Sequence, residues 1–128
     1  MNGSLKHIGL QVVQKDLLPF YQEVFKMEFQ STFILSKDDS YKIFNKEQVV
    51  SIIYAKSEFC DFELFVVEEA PLKISFAHLC IELDQPLLFA NTASGKGYEV
   101  ILREKENKSK TYFIKDSNRN IFEIKQAN

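Results

Sequence analysis

The order of predicted elements repeats along the chain, and that repeat constrains the fold more than any single motif. Residues 5–13 (LKHIGLQVV) are β-branched and apolar and predict a strand with His7, Gly9, Gln11 and Val13 on one face. A helix follows, with Asp16 as its N-cap and Pro19 in the first turn; Leu17, Leu18, Tyr21, Val24 and Phe25 recur at helical spacing. Residues 28–35, 49–56 and 60–68 predict three further strands, and Ser36 followed by Asp39 signals a short helix between the first two. After Pro71 the pattern restarts with a strand over 74–83 (ISFAHLCIEL). A helix over 84–94 has Asp84 as cap, Pro86 in its first turn and Gly95 as stop, and strands over 97–104, 110–115 and 121–125 complete the second run. Neither half can bury the apolar face of a curved sheet alone, so the two are expected to pair.

The expected product is a single α+β domain over residues 1–128. It consists of two βαβββ modules, at about 5–68 and about 74–126, whose curved mixed sheets share a cavity. A composition of 45% hydrophobic and 27% charged residues suits a globular core, and a net charge of −2 gives no footprint for nucleic acid or an anionic membrane. The apolar runs are strand-sized, far below the ~20 residues of a membrane span. Residues 1–10 show no basic region followed by an apolar one, which leads us to expect a cytoplasmic protein. Cys60 and Cys80 are too few and too widely spaced for a disulfide framework or a CxxC site, and packed free thiols are expected. Phosphate-binding glycine loops, GxSxG elbows and HExxH helices are absent from the sequence.

Histidine is scarce, and its placement is informative. The two histidines, His7 and His78, both fall on the first strand of a module, 71 residues apart. Glu63 and Glu123 both fall inside the last strand of a module, 60 residues apart. A pseudo-twofold relation between modules would bring two imidazoles and two carboxylates together, a donor set for Zn, Ni, Co, Mn or Fe. Taken singly, each residue also admits a plainer reading: a core or surface histidine, or a carboxylate turned to solvent by strand alternation.

The chain resembles the vicinal oxygen chelate superfamily, the glyoxalase, bleomycin resistance and dioxygenase fold. His7-Ile8-Gly9-Leu10-Gln11-Val12-Val13 followed by Asp16 and Phe20-Tyr21 resembles the opening strand and its "D…FY" helix. Ala77-His78-Leu79-Cys80 resembles the "GHIA" strand, and the run from Asp116 to Glu123 (DSNRNIFE) resembles the "DPDGNxxE" turn and strand. The resemblance implies one divalent metal ion held by His7, Glu63, His78 and Glu123, the ligand pattern of bacterial glyoxalase I. It also implies isomerisation or lyase chemistry on a small carbonyl compound or its thiol adduct, through a metal-stabilised enediolate. Glu123, with Glu63 as counterpart, would move the proton. In many short members the site forms between two chains, so a homodimer is expected.

Departures from the pattern bear on the substrate. Gln11 stands where glyoxalase I carries an arginine for glutathione, and Arg103 and Arg119 are the only arginines, the latter inside a turn. Gln11 and Cys80 share strand faces with His7 and His78 and are candidate substrate contacts, with a structural amide and a packed thiol as alternatives. Two other functions stay open: a non-catalytic small-molecule or drug-binding protein of the same fold, and an Fe(II)-dependent dioxygenase.

Overall fold

A computed structural model describes residues 1–127. The first half contains β1 (Ile8–Val13), a 3-10 turn (Gln14–Asp16), helix α1 (Leu17–Val24, hydrogen-bonded as a π-helix) and β2 (Glu28–Leu35), then α2 (Lys37–Phe44), β3 (Val50–Lys56) and β4 (Asp61–Val67). The second contains β5 (Leu79–Leu83), α3 (Pro86–Gly95), β6 (Glu99–Glu104), β7 (Lys110–Lys115) and β8 (Ile121–Gln126). The strands form two four-stranded mixed sheets, ordered β1-β4-β3-β2 and β5-β8-β7-β6. In each sheet the first and last strands of the module pair in parallel and the remaining pairs are antiparallel. The repeat read from the order of elements therefore extends to topology and register.

One face of each sheet builds the core. Val12, Ala55, Phe62 and Leu64 from the first sheet pack in one cluster with Ile81, Ile114, Phe122 and Ile124 from the second. Helix α1 and the residue that follows it add aromatic rings to this cluster: the Phe20 ring lies 4.8 Å from Tyr98 and 5.7 Å from Phe122, and Phe25 lies 4.6 Å from Phe122. Strand alternation then dictates what the opposite, open faces carry. Glu63, Phe65 and Val67 lie on the open face of the first sheet, and Cys80, Phe113, Lys115, Glu123 and Lys125 on that of the second.

Three local expectations are corrected. Residues 74–78 are not strand, and β5 begins only at Leu79. The apolar alternation of Ile74 and Phe76 imitates a half-buried strand, yet these side chains are 90% and 100% exposed. Asp16 stands at the N-cap position of α1 but makes no side-chain cap. Its carboxylate instead accepts from the Ser117 backbone N–H at 2.8 Å, the Ser117 hydroxyl at 2.7 Å and the Tyr98 hydroxyl at 2.9 Å. The cap of α3 is Gln85, not Asp84, and makes no side-chain bond either. Ser36, by contrast, caps α2 through Asp39 N–H at 3.1 Å as expected. No helix among the described residues is long and apolar enough to cross a membrane.

The turn between β7 and β8 joins the halves. Asp116 is 4% exposed and accepts from the Tyr21 hydroxyl at 2.5 Å, from Asn118 N–H and Asn120 N–H, and from Asn120 Nδ2. Asn120 Nδ2 also donates to the Gln11 carbonyl of β1 at 2.8 Å. Burial raises the Asp116 carboxyl above its ordinary range, and the bonds from Tyr21 and Asn120 oppose that rise. Asp116→Ala is expected to strand several buried donors and cost about 3–5 kcal/mol by urea unfolding; Tyr21→Phe, which leaves the carboxylate its other donors, about 1–2 kcal/mol. In the same turn Arg119 sits at φ +62°, the left-handed position that the resembled turn fills with glycine. Arg119→Gly is expected to raise stability by about 1 kcal/mol in the same assay.

Candidate metal centre

His7 and His78 each sit one residue ahead of the first strand of their half, and each meets a glutamate on the parallel partner strand. His7 Nε2 lies 3.2 Å from Glu63 Oε1, and His78 Nε2 lies 3.1 Å from Glu123 Oε1. The registers match: Gly9, two residues after His7, pairs with Glu63, and Cys80, two residues after His78, pairs with Glu123. In both pairs the carboxylate is the more enclosed partner, at 20% and 15% exposure against 37% and 41% for the imidazoles.

The His78 ring is oriented from behind. Its Nδ1 lies 2.8 Å from the Phe76 carbonyl, which can only accept, so Nδ1 carries the proton there. Nε2 then faces Glu123 Oε1, and two acceptors 3.1 Å apart need a cation between them, either a proton or a metal ion. Two ligand atoms bound at ~2.1 Å to one ion stand about 3.0 Å apart at a right angle and about 3.4 Å apart in a tetrahedron. The observed separations of 3.1 and 3.2 Å lie inside that interval, so each pair fits one edge of a coordination shell.

The two pairs do not converge. Among the described residues no three His, Cys, Asp or Glu side chains come close enough to hold one ion. Each chain thus presents two donor pairs, not one cluster of four.

Of the two candidate substrate contacts, Gln11 lines a cavity of about 180 Å³ on the open face of the first sheet. Cys80 is exposed, correcting the expectation of a packed thiol. Desolvation first and the Glu123 charge second push that thiol up, so the thiolate is disfavoured. Arg119 is exposed in its turn and forms no ion pair among the described residues. A further charged neighbour, absent from the sequence-derived set, is Lys125, whose Nζ lies 3.5 Å from Glu123 Oε2. The two-residue spacing on one strand was the available signal. The Phe76 carbonyl is likewise absent from that set, because a backbone group carries no side-chain signature.

No family model matches the chain, and no curated protein matches its sequence. Solved structures do match. FosX, a fosfomycin resistance protein from Listeria monocytogenes, superposes with a TM-score of 0.72 at 14% identity, covering 100% of this chain and 94% of that one. FosX from Mesorhizobium loti gives 0.70 at 12% identity, covering 100% and 94%. A glyoxalase family protein from Enterococcus faecalis gives 0.71 at 15% identity, covering 96% and 97%. These likenesses establish the fold: the chain has the fold of FosX and of the glyoxalase family protein. The Listeria protein has been crystallised with Mn(II) and sulfate, and a variant of it with Mn(II) and 1S,2S-dihydroxypropylphosphonic acid.

The His78 geometry has a spectroscopic consequence. Long-range nitrogen–proton correlation spectra are expected to show Nδ1 of His78 protonated both before and after Zn addition, with only Nε2 shifting on addition. A spectrum placing the proton on Nε2 alone would contradict it.

Proposed function

We propose that the chain is a divalent-metal-dependent enzyme acting on a small carbonyl compound with two neighbouring oxygens, by glyoxalase-like isomerisation or lyase chemistry. The observation that carries this reading is the pair of His–carboxylate contacts at equivalent places in the two halves, with matched register and separation. Two imidazoles and two carboxylates suit Ni, Co, Zn, Mn or Fe, and an ion bound there supplies Lewis-acid polarisation of a substrate carbonyl. The Mn(II) seen in Listeria FosX supports a divalent ion in this fold.

The chain's own groups then have distinct tasks. His7 and His78 hold the ion, and the Phe76 carbonyl keeps the His78 lone pair aimed at it. Glu123 is the proton carrier: its carboxylate accepts a proton from the carbon beside the carbonyl and returns it to the adjacent carbon. Lys125 Nζ lies 3.5 Å from Oε2 of that carboxylate, while Oε1 faces the histidine. Glu63 is the counterpart on the other side of the site. Because one chain offers its donors as two separate pairs, His7 and Glu63 of one copy joined by His78 and Glu123 of a second copy complete the set. We therefore read the working unit as a homodimer.

Chelator-stripped protein titrated calorimetrically with Ni, Co, Zn and Mn tests the reading. One ion per chain is expected, with at least about hundredfold weaker binding in His78→Ala and Glu123→Gln. Sedimentation should report a dimer that tightens with metal. Protein that takes up none of the four ions, or that binds equally well without either histidine, would sink the proposal.

A further inference from the structure

We propose that the cavity under helix α2 is the pocket for a ring-sized apolar group of the substrate, a phenyl or a branched chain of similar bulk. The inference rests on the functional reading above only for where the substrate's oxygens lie. The open face of the first sheet is apolar: Val50 and Ile52 are buried there, outside the main core, and Phe44 of α2 packs edge-on against Phe65 at 5.1 Å. This packing leaves a cavity of about 180 Å³ walled by Phe44, Val50, Phe65 and Val67, with Gly9 in its floor, Gln11 and Ser40 as polar points, and Lys46 and Gln48 also lining it. A space of ~150 Å³ accommodates benzene, so this one has room for a ring, and it opens to solvent beside the half-exposed Phe44.

Gly9 keeps the space open. A Cβ at that position would meet the Phe65 ring at 3.3 Å, so any larger side chain intrudes on the cavity or displaces its wall. The cavity is also in register with the donors. Gly9 follows His7, and Phe65 follows Glu63, by two residues on the same strand face, a step of about 7 Å. A substrate whose oxygens lie at His7 and Glu63 can reach the cavity with a group one or two bonds away. The open face of the second sheet is more polar: it carries the ion pairs Lys115–Glu99 and Lys125–Glu123. The apolar end of the substrate is thus assigned to the first sheet.

Matched 2-oxo acids that differ only in this group test the assignment, with benzoylformate against pyruvate in ligand-detected NMR and calorimetry on the full chain, with and without Zn. Benzoylformate is expected to bind roughly ten- to hundredfold more tightly, the ratio for seating a Phe-sized group. Gly9→Val and Ser40→Leu fill the cavity from opposite walls, and each is expected to erase the ratio while pyruvate binding is unchanged. Equal affinities in the parent chain, no binding of benzoylformate, or a ratio that survives both substitutions in folded protein overturns the assignment. A chain that takes up no metal yet keeps the phenyl preference retains the pocket and loses the enzymatic reading.

Discussion

Two buried carboxylates hold the halves of this chain in fixed relation. Asp116 and Asp16 between them accept hydrogen bonds from Tyr21, Tyr98, Ser117, Asn118 and Asn120, spanning separations of up to 101 residues. A buried acceptor of this kind is strongly selective, because any displacement leaves its donors unpaired in a low-dielectric interior. The consequence reaches both donor pairs. Asn120 ties the network to the carbonyl of Gln11, four residues after His7, and immediately precedes β8, the strand that carries Glu123. The positions of β1 and β8, and with them one member of each His–Glu pair, depend on a single turn.

That turn also shows how conformational cost is accepted for position. Arg119 occupies a left-handed backbone conformation that glycine would adopt freely. The turn keeps its shape because Asp116 accepts from Asn118 N–H and Asn120 N–H on either side of Arg119, over-determining the backbone there. The polar anchor is therefore stronger than the local preference it overrides.

Much of this was legible in the sequence, and what was not has a common physical reason. The strands over Glu28–Leu35 and Lys110–Lys115 and the α2 cap at Ser36 follow from local pattern, and the equivalent placement of His7 with His78 and of Glu63 with Glu123 follows from the repeat. Strand alternation placed Gln11 and Cys80 on the faces they occupy. The misreadings concern groups whose partners are distant or absent. Asp16 resembles a cap because a nearby helix start is visible in sequence, whereas its true partner Ser117 is not. Ile74 and Phe76 alternate like strand residues, but no neighbouring strand is available to pair with them. Whether four donors make one cluster or two pairs depends on how the sheets sit in space, which the order of elements leaves open.

The division into two pairs has a thermodynamic consequence on the proposed reading. A divalent ion held by one imidazole and one carboxylate keeps most of its hydration shell and is bound weakly, while four donors displace that shell and bind strongly. If the four come from two copies, metal affinity and association are one linked equilibrium: each step raises the other by the same factor. The exposed imidazoles, which would be poorly protected ligands in an isolated chain, then become enclosed when the second copy arrives. The rigid internal anchor at Asp116 makes such coupling possible, because each pair is preformed at 3.1 to 3.2 Å and needs no rearrangement to serve as half of a shared site.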